Sequence, residues 1–403
     1  MMRIVIIGAG VAGCVMARRL SRLAGVEVTC LERVARDDHS EAGTGLNVGP
    51  NAVKALATID PDLVDAITRA SFPWHNWRIS LTDGEVLFDL PMADVADRPG
   101  WRIRWSELYR VLRDSADGLI TYDCDITDIK RDGSKTSVTW TQGGQSHTLD
   151  DIDLLIAGDG RYSRVRRTLS GDPNVTQVGV SIFRLLVPDT SNGLIDDYEQ
   201  WFNGPNRLLS FRVPPGHIYV AGTFPIAADQ PIADDLKTAR ALRAAYEPHG
   251  RPASAQAQWL IDTICDNVGD THWARMQEHD ALYAAADCNV LYLGDAAHGM
   301  VPTLGQGATQ AIEDAANAAF IIERHWHAHN KDVRQWLSDI VAARDARMRF
   351  VMEFSLDATD TMLEGADPVA GTLHKTEGPF QQRLKALYHD VGLPDHAIKG
   401  MSP

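Results

Sequence analysis

Short runs of adjoining apolar residues alternate along this chain with amphipathic stretches, and the spacing divides it into elements. Residues 3–7 (RIVII), 27–31 (EVTCL), 152–157 (IDLLIA) and 290–293 (VLYL) read as buried strands. A helical period follows the first of them over 14–23, and others run through Ala57, over 101–112, 233–246 and 255–266, from Ala308 onward and over 321–357. Alternation with period two predicts a strand pair over 78–90 around Asp83-Gly84, and another over 122–130 and 137–140 around Arg131-Asp132-Gly133. Four more strands are expected at 180–187, 198–202, 208–213 and 218–223, separated by proline and glycine turns. The last forty residues carry only a weak pattern. The fold class expected is α/β: an α/β domain over 1–177 with an inserted β-meander, a β-rich domain over 178–270, a return to the first domain over 271–350, and a helical tail over 351–403.

Composition narrows the partners. Lys plus Arg number 39 against 54 Asp plus Glu, a net charge of −15, which opposes nucleic-acid binding. The arginines 161, 164, 166 and 167 still offer a local seat for an anion. Five scattered cysteines without Cys-x-x-Cys give neither a disulfide scaffold nor a zinc site, and fit a reducing cytoplasm. No apolar run reaches the length of a membrane span or a signal h-region, so a soluble cytoplasmic protein without membrane contact is expected. His325, His327 and His329 share a short tract, but their spacing turns His327 off the helix face of the other two; they read as solvated surface, and no metal site is expected.

Three of the apolar runs break off into glycine. After 3–7 comes Gly8-Ala9-Gly10-Val11-Ala12-Gly13, placed between a strand and a helix, where the first glycine permits the tight turn, the second lets a diphosphate touch backbone and the third lets helix pack on strand. Glu32 ends the second strand nineteen residues past Gly13, placed to grip ribose hydroxyls. The third run leads into Gly158-Asp159-Gly160, and the last into Gly294-Asp295 and then Gly305-Gln306-Gly307 before a helix rich in alanine. A glycine loop at a helix N-terminus favours negative charge. These features support a dinucleotide, NAD or FAD.

The ordered set of three turns resembles the single-component FAD-dependent aromatic hydroxylases, the class A flavoprotein monooxygenases with the p-hydroxybenzoate hydroxylase fold, over residues 3–350. Within that family the stretches 43–51 and 305–315 are similar to those of salicylate-, hydroxynicotinate- and dihydroxypyridine-type members. The resemblance implies that Gly8, Gly10, Gly13 and Glu32 hold the ADP half of FAD, with Arg33 and Ile126 beside it. It implies Gly158, Asp159 and Gly160 near both the FAD diphosphate and the nicotinamide cofactor, Asp295 on the ribityl chain and diphosphate, and Pro302, Leu304, Gly305, Gln306 and Gly307 along the isoalloxazine. An arginine that the family places three residues before a helix leucine is Trp105 here, and Arg104 beside it is the substitute expected. Hydroxynicotinate-type members carry a histidine where this chain has Asn47, which has no useful pKa and is expected to touch substrate rather than to act as a base.

What the likeness implies in chemistry is reduction of FAD by NADH or NADPH, addition of O2 as a flavin C4a-hydroperoxide, and hydroxylation of a small phenolic or hydroxylated N-heteroaromatic, acidic ring. The protein must position the ring, exclude water and deprotonate a hydroxyl. His217 and Tyr219 alternate to one face of the strand HIYVAGTF and are the candidate bases, while Arg184 and Arg212 are candidates to pair with an anionic substrate. Alternatives within the frame are a quinone, polyketide or urate-type hydroxylase. A flavin reductase without oxygen chemistry and a non-catalytic flavin-binding regulator remain open at this point, and a homodimer is allowed for.

Overall fold

The computed structural model describes residues 1–38, 44–285 and 288–393. Gly43, and the stretch of the helical tail past 393, lie outside them. A five-stranded parallel sheet has the order Val290–Tyr292, Leu154–Ala157, Met2–Ile7, Val26–Leu31, Ile120–Thr121. Its strands Val290–Tyr292 and Leu154–Ala157, and residues 4–7 of the next, are apolar on both faces because both are covered. Ile4 and Ile6 pack with the helices Val11–Leu20, Pro50–Ile59 and Gln306–His327, while Val5 and Ile7 share a core with Ile129, Val138 and Trp140 of a three-stranded meander. That meander has one strand more than the periodicity shows, Gln145–Ile152, whose polar composition hides it.

A second sheet of seven strands runs His272–His279, Val175–Pro188, His217–Pro225, Asn206–Val213, Tyr198–Asn203, Asn76–Leu81, Val86–Pro91. One face, with Phe183, Leu208, Ile218 and Val220, packs under the helices Ala239–Tyr246 and Ala255–Asp266. The other, with Tyr198, Leu209, Phe211, Tyr219 and Ala221, belongs to the core shared with the five-stranded sheet and the last helices. The linear boundaries at 178 and 270 do not enclose this sheet: the hairpin 76–91 joins it by parallel pairing to Tyr198–Asn203, and His272–His279 closes its other edge. Pairing between strands distant in sequence leaves no mark on local periodicity.

Two further differences are local. Residues 100–104 form a strand against Gly45–Val48, and the helix starts only at Trp105, because the alternating WRIR segment supplies a buried pairing partner. The helix expected over 233–246 begins at Ala239, capped by Thr238. The weakly patterned tail folds into helices Pro368–His374 and Gly378–His389, the second of which packs into the main core through Phe380, Leu384, Leu387 and Tyr388. His325 is half-buried, bonded to Asp339 at 2.8 Å and stacked on Trp336, rather than solvated. Among the described residues no helix is long and apolar enough to cross a membrane and no cluster could hold a metal ion.

Candidate active site

The three glycine turns meet. They leave the C-terminal ends of neighbouring parallel strands, where the register pairs Ile7 with Ala157 and Ala157 with Tyr292. Open α/β sheets bind ligands at this edge. A Cβ on Gly8 (φ 95°) would stand 2.5 Å from Gly158 O, and one on Gly13 would collide with Gly8 O, so the first two turns can close on each other only as glycine. Gly10 meets nothing nearer than Gly158 O at 3.7 Å, and its other side opens into a cleft of about 650 Å³. Arg33, Tyr109, Arg113, Ile126, Asp159 and Gly160 line the rest of that cleft.

Charge in the cleft is poised but incompletely paired. Glu32 Oε2 accepts from the Ala9 amide at 2.6 Å and Oε1 from the Val34 amide at 3.1 Å, which ties the first glycine turn to the second strand. Arg113 is buried, 4.0 Å from Glu32, with Nε donating to Ala9 O at 3.3 Å and Nη1 without any partner. Asp159 accepts from the Arg164 and Val165 amides while its Oδ1 is buried and unpartnered. Burial pushes its carboxyl above the usual range, against hydrogen bonds from Ser163, Val165 and Arg164. Neither Arg113 nor Tyr109 stands out in sequence: on an amphipathic helix an arginine reads as solvated.

Asp295 sits in the first turn after the last strand, with Gly307 of the next helix packed beside it: a Cβ there would be 3.9 Å from Asp295 Oδ1. Its loop is held from behind. His279 Nε2 donates to Asp295 O at 3.2 Å and Nδ1 accepts from the Gly299 amide at 3.3 Å, a single tautomer that serves both bonds. Burial lowers the His279 pKa and keeps the ring neutral beside Arg166, which itself donates to Ala297 O and Asp280.

The loop from Pro302 to Gly305 ends in a left-handed residue, Gly305 (φ 66°), 3.3 Å from Asn47 O at its would-be Cβ. Gln306 is fully buried, and its Oε1 accepts from Asn51 and Gln310 at 3.0 Å each, so its side chain serves the helix interior rather than the open side. Asn51 and Gln310 also donate to Glu313, which pairs with Arg344 and Arg347; Asp314 accepts from Arg344, His298, Tyr283 and the Gly294 amide. A polar network, buried except at Arg347, thus carries both the Asp295 turn and the Gly305 turn.

Above this loop stands the inner face of the seven-stranded sheet. Tyr219 lies against Gly45, and an aromatic row continues from it through Phe211 (4.9 Å), Tyr198 (5.7 Å) and Trp74 (5.4 Å), with Tyr388 of the last helix edge-on to Trp74. Burial raises the Tyr219 phenol, against the pull of Arg184 and Arg207. Arg184 pairs in register with Ala221, on the same face as Tyr219. His217 shares the face too, but at the strand start, with Nδ1 on Pro215 O at 2.5 Å. Arg212 corrects the expectation: it pairs with Ile218 on the opposite face and is engaged by Asp189 at 3.0 Å, Asp196 at 3.5 Å and the ring of Phe72. Asn47 has a buried Oδ1 and Arg104 a buried Nε without partners, on paired strands beside the loop.

Comparison with known proteins agrees with this geometry. The family described as NAD(P)-binding Rossmann-like domain matches residues 6–38, and the FAD binding domain matches 259–349. The 2-heptyl-3-hydroxy-4(1H)-quinolone synthase of Pseudomonas aeruginosa is 28% identical over 364 residues, 88% of this chain and 88% of the relative. The 6-hydroxynicotinate 3-monooxygenase of Pseudomonas fluorescens is 26% identical over 373 residues, 89% and 91% of the two chains. In structure, HpxO of Klebsiella pneumoniae, complexed with FAD and uric acid, superposes with a TM-score of 0.77 at 21% identity over 99% of this chain and 97% of its own. With three glycine turns at one sheet edge and a second sheet over them, the chain is similar along nearly its whole length to FAD-binding monooxygenases of the class A aromatic-hydroxylase type.

Proposed function

We propose that this chain is a cytoplasmic, NAD(P)H-dependent FAD monooxygenase that hydroxylates a phenolic or hydroxylated N-heteroaromatic ring carrying an acidic group. One observation carries the reading: the aromatic inner face of the seven-stranded sheet stands against Gly45–Val48, the strand adjoining the loop at Gly305, on the side where the three turns converge. Relatives named for a quinolone and for hydroxynicotinate support the heteroaromatic half of the class.

The residues fit FAD. Orphaned buried atoms in the cleft, Arg113 Nη1 and Asp159 Oδ1, call for polar partners the protein does not supply, and the open side of Gly10 leaves backbone free for a diphosphate. Gly8, Gly10 and Gly13 with Glu32, Arg33, Arg113 and Ile126 would hold the ADP half; Gly158, Asp159, Gly160 and Asp295 the diphosphate and ribityl chain; Arg104, Pro302, Leu304, Gly305 and Gly307 the ring system, with Gln306 acting from within the helix. This keeps 1–177 and 271–350 as the FAD-binding parts, with the hairpin 76–91 and the strand 272–279 assigned to the substrate sheet. Bound FAD, once reduced by NAD(P)H, supplies the activation of O2.

The chain's own part is to bind, orient and keep water out. Tyr219, buried and with its phenol kept protonated, orients the ring hydroxyl by hydrogen bonding, while Asn47 offers an unpartnered acceptor. His217, engaged with Pro215 O, is the weaker of the two catalytic candidates. The test is FAD-loaded protein with a panel of hydroxybenzoates and hydroxypyridine carboxylates. Stimulated oxidation of NADH or NADPH, matching oxygen uptake and a product heavier by one oxygen atom are expected. Oxidation without oxygen uptake would make it a reductase instead, and failure to take up FAD a regulator.

A further inference from the structure

The cleft beside Gly8, Gly10, Gly158 and Gly160 is acidic. Glu32 and Asp159 line it, and Asp295 stands close enough to act on the Tyr109 phenol that lines it too. A diphosphate adds further negative charge in the same place, and repulsion in a partly buried cleft is weakly screened. A cation within the cleft has to offset it. Five arginines line the cleft among the described residues: Arg33, Arg164 and Arg167 are exposed, Arg161 is half-buried, and Arg113 is buried. Arg113 is also the one of the five with a buried nitrogen to spare. Its Nε donates to Ala9 O at 3.3 Å and Nη2 lies 4.0 Å from Glu32, while Nη1 has no partner. A buried donor left open is costly unless something fills it.

The helix Trp105–Ser115 holds that charge in place. Trp105, Tyr109 and Arg113 recur every fourth residue and so share one face. The rings of Trp105 and Tyr109 are 5.3 Å apart, and the Arg113 guanidinium lies over Tyr109 at 5.2 Å. Tyr122 flanks the guanidinium at 6.0 Å. Burial pushes the Tyr109 phenol up to about 12, against the charge of Arg113 and with that of Asp295, so it remains a neutral donor at working pH. We propose that Arg113 and Tyr109 form a clamp on the FAD diphosphate, each donating to a phosphate oxygen, with Trp105 backing the column. Guanidinium and phosphate make charge-assisted bonds in a matching fork, and the phenol adds a donor without adding charge. The clamp rests on the FAD reading and deepens it: the cofactor is gripped through its ADP half, so a nucleoside diphosphate without flavin binds the same cleft.

The experiment is calorimetric titration of the FAD-free full chain with ADP, adenosine, riboflavin and FAD. The wild type is expected to bind ADP more tightly than adenosine. Arg113→Met should raise the Kd of ADP and of FAD about tenfold or more, leave adenosine and riboflavin unchanged, and flatten the salt dependence of ADP binding. Arg113→Lys should recover part of the loss. Tyr109→Phe keeps the stacked ring, so it should melt with the wild type yet raise the Kd of ADP about fivefold. A merely structural arginine would weaken ADP and adenosine by the same factor and lower the Tm. The clamp is overturned by that result, by variants that keep the wild-type preference for ADP, or by a wild type that binds ADP no better than adenosine. FAD uptake is scored separately. Uptake of FAD together with any of these results keeps the cofactor reading and removes the clamp. A preference for ADP that Arg113→Met abolishes, with no uptake of FAD, removes the cofactor reading and leaves a diphosphate site.

Discussion

Gly45 and Tyr219 touch where the strand Gly45–Val48 meets the seven-stranded sheet: a Cβ on Gly45 would stand 2.5 Å from Tyr219 Cβ and 3.0 Å from its Cγ. Side chains do not tolerate such distances, so the smallest residue at 45 sets how closely the aromatic face approaches the loop at Gly305. Gly45→Ala should therefore cost about 1–3 kcal/mol through overpacking. Chemical denaturation of Gly45→Ala, Tyr219→Gly and the double variant checks this. The double variant should lose less than the sum of the two, because the second change removes the atoms that the first one strikes. Strict additivity would mean that the contact does not exist in solution.

Glu32 is expected to act twice. Its carboxylate accepts the Ala9 and Val34 amides, which shapes the first glycine turn, and the reading above adds a ribose hydroxyl. Glu32→Ala should weaken FAD retention by about 1.5–3 kcal/mol, the range for a hydrogen bond to a charged group. Fluorescence titration of the FAD-free protein measures it. Glu32→Gln keeps an acceptor and should fall between; unchanged affinity in both variants would take Glu32 out of the site.

How far the sequence reaches depends on whether a residue's role is set locally. Gly8, Gly158 and Gly294 are legible because each ends an apolar run, and a strand that breaks into glycine has few other structural uses. Tyr219 is legible by alternation on its strand. Arg207 and Arg212 lie on one strand five residues apart, hence on opposite faces, and nothing local says which face is inner until the strand finds its partners. Arg113 looks like any exposed helix charge until the Gly8 turn is laid beside it. The last helices are weakly patterned because their apolar residues fill a core built by distant segments, from Trp74 to Phe211. The glycine turns thus report the frame, while the lining of the pocket is decided by contacts far apart in sequence.

Asp314 makes the frame sensitive to acid. It is fully buried and accepts from His298 Nε2 at 2.6 Å, Arg344 Nε at 2.9 Å, Tyr283 at 2.9 Å and the Gly294 amide at 3.0 Å. Burial alone would raise its carboxyl, but the charges of His298 and Arg344 outweigh it and hold the pKa at about 2, below the ordinary 3.8. A folded pKa below the unfolded one gives stability that is complete above pH 3.8 and drains away as pH falls toward about 2. Wild-type denaturation curves should show that loss, and Asp314→Asn, already destabilised at neutral pH, should show a flatter limb across the same window. Parallel limbs would assign the acid sensitivity to other carboxylates.

Arg347 is the latch of the C-terminal helix. Its guanidinium donates to the carbonyls of Ala386 at 3.2 Å and Leu387 at 2.5 Å, in the last turn of Gly378–His389, and to Glu313 Oε1 at 2.9 Å. A helix C-terminus leaves carbonyls unpaired and carries partial negative charge, so a cation there supplies both hydrogen bonds and favourable potential. Through Glu313 the same contact reaches Asn51 and then Gln306, at the start of the helix below the Gly305 turn. Tyr388, one residue past Leu387, walls the aromatic face beside Trp74. Arg347→Ala should therefore cost about 1.5–3 kcal/mol and free the last helix before the rest of the fold yields. Limited proteolysis with mass mapping should find early cuts within 378–393, and Arg347→Lys should protect little, since an ammonium cannot span two carbonyls and a carboxylate in one plane. Cuts that appear first elsewhere, or a tail as resistant as the wild type's, would show that apolar packing of Phe380, Leu384 and Leu387 holds the helix without the latch.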